Sequence, residues 1–189
     1  MTWTVRNVRG DGSCFFRALY QASLRTGSVM RIIRRFRRRA AARSGAAVDA
    51  GMTEDGFVAE VRAALAAVIM KDTAIIPAIH ENLRKVYKEK DHVLYNVILE
   101  SYPEWFQERF ASFPKRLEVF RARLAKQVAW NGNWVSEIEV RLILDTLRGI
   151  PIKILPSVPP SRTKLDPATM YLVNVDEVHY TYIAMNTRG

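Results

Sequence analysis

Apolar positions recur with helical spacing through the first two thirds of the chain. Between Phe15 and Ala22, apolar residues are three and four positions apart, which places them on one face of a helix over residues 14–24. Gly27 favours an end to that helix. Similar spacing predicts further helices over residues 31–42, 53–70, 80–89, 91–101 and 114–129.

The pattern changes near residue 130 to short runs of β-branched and aromatic residues. Ser136 and Glu139 have the spacing of a capping box, which predicts a last helix ending at Gly149. The predicted strands are residues 5–8, 150–155, 170–175 and 179–184. Because helices and strands are mixed without regular alternation, the sequence predicts an α+β fold.

The composition is that of a soluble globular domain. Of 189 residues, 49% are apolar and 25% charged, so we expect one domain over residues 1–189. We find no apolar run long enough for a membrane span. The first ten residues lack the apolar stretch of a secretory signal, and we expect a cytoplasmic location.

The net charge of +10 is concentrated in residues 31–39, which contain six arginines. Such a run indicates nucleic acid, an acidic membrane or an acidic protein as a partner. It is equally typical of a solvated helix face, because Ile32, Ile33 and Phe36 interrupt it at helical spacing. Phe36 is the one aromatic residue among the arginines, so a base-stacking platform is poorly supported.

Cys14 is the single cysteine, so no internal disulfide can form. A lone cysteine is often a buried small apolar residue. Here it follows a turn signal at residues 10–13 and begins a predicted helix, where unpaired N–H groups favour thiolate and can hold an oxyanion. Gly12 lets a substrate backbone approach closely. We interpret Cys14 as a candidate nucleophile.

A thiol nucleophile needs a base, and the chain has three histidines. His80 and His92 lie in polar, helix-like segments and are predicted at the surface. His179 begins an apolar strand that would hold its ring rigidly, which suits either a base or a core histidine. Metal-ligand spacing is absent from the sequence, so we expect no metal or other cofactor.

Residues 11–18, D-G-S-C-F-F-R-A, resemble the nucleophile motif D-G-x-C-x-x-R-A of the ovarian tumour (OTU) family of cysteine proteases. His179-Tyr180 is similar to the histidine motif of that family, and Gly132-Asn-Trp134 to its G-x-W block. The three blocks occur in the family's order and span nearly the whole chain. The resemblance implies a papain-like OTU fold with a small central sheet flanked by helices.

The resemblance also implies a deubiquitinase, whose partners are ubiquitin, polyubiquitin or a ubiquitin-like protein. The cysteine attacks the carbonyl that joins the tag to a lysine, and the histidine carries protons in both directions. The catalytic residues so implied are Cys14, His179, Asp11 and Thr181; the substrate-binding residues are Gly12, Ser13, Asn133 and Trp134.

Two of these residues have roles that stay open. Asp11 either shapes the oxyanion site or fixes the turn by accepting backbone N–H bonds. The family usually has Asp or Asn two residues after the histidine, where this chain has Thr181. A hydroxyl carries no charge to stabilise an imidazolium, so we expect reduced activity; Asn174 and Asp176 are the alternative orienting residues.

Two competing functions use the same residues or surfaces. One is a catalytically silent domain that binds ubiquitin or nucleic acid through its basic surface. The other is an acyl-transfer enzyme that acts on another substrate with the same cysteine and histidine.

Overall fold

A computed structural model describes residues 2–40, 51–71, 113–135, 137–175 and 179–186. In these ranges the helices are α1 (Cys14–Arg25), α2 (Val29–Ala40), α3 (Glu54–Lys71), α4 (Phe113–Ala129) and α5 (Glu137–Thr146). The strands are β1 (Thr2–Arg6), β2 (Ile152–Leu155), β3 (Met170–Val175) and β4 (His179–Asn186). The predicted helices at 80–89 and 91–101, and the residues His80, His92, Ser136 and Asp176, lie outside the described residues.

The four strands form one mixed sheet in the order β1-β4-β3-β2, which confirms the predicted α+β class. β1 and β3 run antiparallel to β4, and β2 runs parallel to β3. The predicted edge strand at 5–8 is an edge strand, but it covers Thr2–Arg6. Because Arg6 pairs with Tyr182, the chain leaves the sheet beside the head of β4 and then enters the loop before α1.

The first helices follow the predicted pattern closely. α1 begins at Cys14, and Gly27 follows its end with a φ of +64°, a left-handed conformation that glycine adopts without strain. α2 begins two residues before the predicted start and buries Ile32, Ile33 and Phe36 completely. The side chain of Thr53, where the sequence predicts that this helix starts, accepts the N–H of Gly56 at 3.1 Å and so caps α3.

α1 packs between the sheet and α3, and this packing forms the main core. The rings of Phe15 and Tyr180 meet edge to face with centroids 4.9 Å apart, which joins α1 to β4. A smaller cluster on the other face of the sheet contains Tyr171, Val173 and Ile183. Side chains along β4 therefore alternate between the helical core and this second cluster.

The segment after α4 supplies the second half of the site. α4 packs along α3, and it ends in a turn in which the N–H of Asn133 donates to the carbonyl of Trp130 at 3.2 Å. α5 ends at Thr146, slightly before the predicted end at Gly149, whose φ is +85°. None of the described helices combines the length and the apolar composition needed to cross a membrane.

Candidate active site

Cys14 is the first residue of α1, and Ser13 precedes it at the cap position. The helix begins with the N–H of Arg17 donating to the carbonyl of Ser13 at 3.0 Å. The backbone N–H groups of Cys14 and Phe15 lie in the first turn of α1, where the helix supplies no carbonyl acceptor, and their hydrogen bonds to the thiol favour its ionised form. These are the donors that could hold an oxyanion beside the sulfur.

The thiol of Cys14 lies inside the protein, with 2% of the residue exposed. Burial raises its pKa, because a thiolate is poorly solvated there, and the charge of Asp11 raises the pKa further. The backbone N–H groups of Tyr180, Phe15 and Cys14 oppose this increase without outweighing it. The net result is a raised pKa, which favours the protonated form of the thiol.

His179 begins β4 beside the loop that leads to Cys14. A Cβ atom added to Gly10 would lie 3.7 Å from both Cε1 and Nδ1 of the His179 ring, so the ring covers this glycine. The next residue along the strand, Tyr180, donates its backbone N–H to the thiol of Cys14. The antiparallel pairing of β1 with β4 thus brings the predicted nucleophile and the predicted base to the same end of α1.

Asp11 holds the turn before Cys14 in place. Its carboxylate accepts the N–H of Ser13 at 3.2 Å and the guanidinium of Arg17 at 2.7 Å. The hydrogen bond from Arg17 is the largest of the effects that hold the pKa of Asp11 below its usual value. Arg17 also binds Glu54 and Asp55 at the start of α3, each at 2.7 Å. Asp11 therefore belongs to an ion-pair cluster that ties the loop to α1 and α3.

Arg62 crosses the core behind the nucleophile loop and is completely buried. Its Nη2 atom donates to the carbonyl of Gly12 at 3.1 Å, to the hydroxyl of Ser13 at 3.2 Å and to the carbonyl of Asn133 at 2.7 Å. Its Nη1 atom donates to the carbonyl of Val128 at 2.9 Å. One side chain on α3 therefore fastens the loop before Cys14 to the turn after α4.

Burial lowers the pKa of Arg62, while Glu139, Asp11 and Cys14 raise it electrostatically. Because Cys14 raises this pKa, a thiolate there would be attracted by the guanidinium cation. The guanidinium also lies over the ring of Phe16, 4.4 Å from its centroid.

The sequence analysis did not single out Arg62, although its position carried a signal. On α3 the buried apolar residues include Val58 and Leu65, and position 62 falls on that same face at helical spacing. An arginine in an apolar stripe must have several acceptors, because burying an unpaired guanidinium is costly. The identity of those acceptors depends on the tertiary fold.

The turn at residues 131–134 lies directly against the nucleophile loop. The hydroxyl of Ser13 donates to the carbonyl of Asn131. Gly12 has a φ of +77°, and a Cβ atom there would lie 2.4 Å from the carbonyl oxygen of Gly132. The structure thus brings the predicted residues Gly12, Ser13 and Asn133 together, with the Gly12 carbonyl, the Ser13 hydroxyl and the Asn133 carbonyl held in internal hydrogen bonds.

Trp134, also predicted to bind substrate, is 50% exposed at the rim of this turn, and Trp130 is 67% exposed. Each indole therefore offers apolar surface to a ligand beside the nucleophile loop. Trp130 packs on Gly132, where an added Cβ would be 3.3 Å from its ring.

Thr181 is buried opposite Val173, on the side of the smaller cluster. Its hydroxyl has no hydrogen-bond partner among the described residues, and neither has the side-chain oxygen of Asn174. The structure thus shows no bond from the ring of His179 to Thr181. Asn174 lies opposite Tyr180 on the neighbouring strand, and hence close to the head of β4. In the described ranges no cluster of His, Cys, Asp and Glu is placed to hold a metal ion.

These features define an α+β protein in which a cysteine at a helix N-terminus lies beside the head of a histidine-bearing strand. No protein-family model matches the sequence. No curated protein is significantly similar to it. Among solved structures, the chain is similar to the crystal structure of an OTU deubiquitinase in complex with Ub-PA. The identity is 13% and the TM-score 0.46, over 96% of this chain and 73% of the other. A likeness of this size says nothing about the chemistry of this chain.

Proposed function

We propose that this protein is a cysteine-type deubiquitinase, a thiol protease that hydrolyses the isopeptide bond at the C-terminus of ubiquitin or a ubiquitin-like protein. The observation that carries the proposal is the meeting of Cys14 with the head of β4, where Tyr180 donates to the thiol and His179 covers Gly10. The motif at residues 11–18 supports the substrate class through its resemblance to the OTU proteases.

The reaction follows from the groups around Cys14. His179 accepts the thiol proton, and the sulfur attacks the carbonyl carbon of the isopeptide bond. The resulting oxyanion accepts hydrogen bonds from the N–H groups of Cys14 and Phe15. His179 then gives the proton to the leaving lysine amine, and the C–N bond breaks to leave a thioester. Water, deprotonated by His179, hydrolyses the thioester and restores the thiol.

The raised pKa of Cys14 makes proton transfer to His179 an essential step rather than a minor aid. A thiol whose pKa is raised by burial needs its base aligned when the substrate is bound. Replacement of His179 is therefore expected to slow acylation by a factor of about 100 to 10,000, the usual contribution of a positioned general base.

The test is covalent labelling by ubiquitin that carries a thiol-reactive group at its C-terminus, with parallel probes built on ubiquitin-like proteins. We expect the native protein to be labelled, Cys14→Ala to be inert, and His179→Gln to react far more slowly. Ser23→Ala, a buried change in α1 away from the site, serves as the folded control that keeps its labelling. The proposal fails if none of the probes labels the native protein.

The second candidate function is a silent domain that binds ubiquitin without cleaving it. The burial of Cys14 and the raised pKa of its thiol favour this candidate, since an inert thiol is typical of a structural cysteine. It predicts that ubiquitin binds measurably by calorimetry while the reactive probe leaves Cys14 unmodified. Calorimetry with ubiquitin and labelling by the reactive probe, both on the native protein, therefore distinguish the two functions.

A further inference from the structure

A basic cleft lies between the ends of α2 and α5, apart from the Cys14 site. It has a volume of about 370 Å³ and is lined by Arg35, Arg38, Arg39, Asp145, Thr146 and Arg148. Four arginines face one aspartate there, so positive charge is in excess within a single concave surface. The reaction proposed for Cys14 does not involve any of these residues.

Two of the four arginines are already oriented by the protein. Arg39 donates to Asp145 at 2.7 Å and to the hydroxyl of Thr146 at 2.9 Å. Arg148 donates to the other oxygen of Asp145 at 3.0 Å. Asp145 thus holds two guanidinium groups side by side at the wall of the cleft, and each keeps further N–H donors for a ligand.

The other two arginines have no counterion among the residues that the structure describes. Within the described part of the chain, neither Arg35 nor Arg38 has a hydrogen bond or an ion pair. Arg35 lies over Gly149, where an added Cβ would be 3.8 Å from its Nη2 atom. The negative end of the helix macrodipole accounts for basic residues in the last turn of α2, but Arg35 precedes that turn.

The charge pattern of α2 destabilises the isolated helix. Arg34 and Arg38, like Arg35 and Arg39, are four residues apart on one helix, and like charges at this spacing repel each other. α2 contains no acidic residue that could relieve the repulsion. A bound anion would relieve it, and this is an energetic reason for the cleft to take one.

We propose that this cleft is a binding site for a compact anion that carries two or more phosphate groups. Guanidinium groups bind phosphate oxygens in pairs, which favours arginine over lysine at such a site. A volume of about 370 Å³ corresponds to roughly a dozen water molecules at about 30 Å³ each, too large for one phosphate and suited to a small polyphosphate. Several phosphates are also needed to reach four arginines at once.

The test is calorimetric titration of the full chain with inositol hexakisphosphate and with inorganic tripolyphosphate, at about 0.15 M salt to suppress long-range attraction. Sulfate is the control anion of lower charge. We expect both polyphosphates to bind with one-to-one stoichiometry and to raise the melting temperature, since a ligand that binds the folded state stabilises it. Sulfate should bind at least about tenfold more weakly.

The decisive comparison is between two double variants of α2 with the same change of charge. Arg35→Gln with Arg38→Gln removes the two arginines without counterions, and we expect affinity to fall roughly 100-fold, about tenfold for each charge-assisted contact. Arg31→Gln with Arg34→Gln alters exposed arginines outside the cleft and should retain most of the affinity. All four positions are on the helix surface, so both variants are expected to fold.

Two outcomes would overturn the site. One is equal loss of affinity in the two double variants, which would indicate a diffuse basic surface of the kind that holds nucleic acid. The other is no binding of either polyphosphate at the stated salt concentration. Sedimentation with vesicles that contain a phosphorylated inositol lipid then identifies the source of the anion. If the protein binds both the soluble polyphosphates and the vesicles, the ligand is a lipid headgroup. If it binds the soluble polyphosphates alone, the ligand is a soluble molecule.

Discussion

The Nη2 atom of Arg62 lies 3.1 Å from the carbonyl oxygen of Gly12 and 2.7 Å from that of Asn133. One buried guanidinium thereby joins the loop that precedes Cys14 to the turn that follows α4. Both loops carry predicted site residues and lie far apart in the sequence. The geometry of the candidate site consequently depends on a residue that contacts no substrate.

Arg62→Met is expected to reduce the free energy of unfolding by about 3 kcal/mol, because several buried acceptors lose their donor. Urea denaturation measures the loss, and alkylation of Cys14 under native conditions should become faster as the loop opens. Arg37→Met, which removes a partly exposed ion pair with Glu60 between α2 and α3, is the control and should cost about 1 kcal/mol or less. Similar losses in the two variants would contradict the role assigned to Arg62.

Gly12→Ala is expected to separate the two loops. A Cβ at Gly12 would be 2.4 Å from the Gly132 carbonyl oxygen, so backbone must move, and the cost should exceed about 2 kcal/mol. Gly27→Ala is a matched control, since Gly27 also has a positive φ but no atom within 4 Å of its added Cβ. Gly27→Ala should lower the free energy of unfolding by only about 1 kcal/mol, the strain of placing alanine in a left-handed conformation. The comparison is made by thermal unfolding, and equal effects would rule out a steric contact between the loops.

Asp11→Asn is expected to remove a pH-dependent part of the stability. The pKa of Asp11 is lower in the folded protein than its usual 3.8, so its ion pair with Arg17 stabilises the fold above that pH and is lost as pH falls below it. At neutral pH the substitution should cost about 1–2 kcal/mol, from loss of charge in one hydrogen-bonded pair. Unfolding curves at several acidic pH values should show the free energies of unfolding of the native protein and Asp11→Asn becoming equal as the pH falls.

Asp166→Asn provides the control for this experiment. The pKa of Asp166 is also lowered, mainly by the hydroxyl of Thr169, but Asp166 lies in the loop before β3. Its replacement should leave the alkylation rate of Cys14 unchanged, whereas Asp11→Asn should alter it. If Asp11→Asn leaves both stability and alkylation as they are, the cluster around Asp11 and Arg17 does not hold the loop.

The sequence predicted the local structure well because local signals determine it. The start of α1 at Cys14, the Thr53 cap and strand Met170–Val175 follow from turn, cap and periodicity rules within a few residues. The contact between Gly12 and Gly132 joins segments that are distant in the chain, and no local pattern encodes it. The pKa of Cys14 depends on the tertiary structure for the same reason: the N–H groups at the helix start lower it, whereas burial raises it.

The alkylation rate of Cys14 is expected to rise with pH through a midpoint above that of the unfolded chain, which is about 8.5. Burial raises the pKa of the folded thiol, so its contribution to stability is present below the unfolded pKa and is lost as pH rises through the folded one. Iodoacetamide reports on this residue alone, because the chain has one cysteine. A native midpoint below the denatured one would instead indicate a thiolate paired with the His179 imidazolium.

Thr181→Val is expected to stabilise the protein by about 1 kcal/mol, because it replaces with a methyl group a buried hydroxyl for which the described residues supply no hydrogen-bond partner. If Thr181 oriented His179 during turnover, the same substitution would slow labelling by the ubiquitin probe. We expect the labelling rate to stay within about twofold of the native rate, well below the change that loss of a catalytic hydrogen bond causes.

Asn174→Leu is the companion variant, since the side-chain oxygen of Asn174 is also buried with no partner in the described ranges, and Asn174 pairs with a residue nearer the head of β4. A large loss of labelling in Asn174→Leu with none in Thr181→Val would assign the orienting role to Asn174. The reverse pattern would assign it to Thr181, which lies two residues after His179 on the same face of β4.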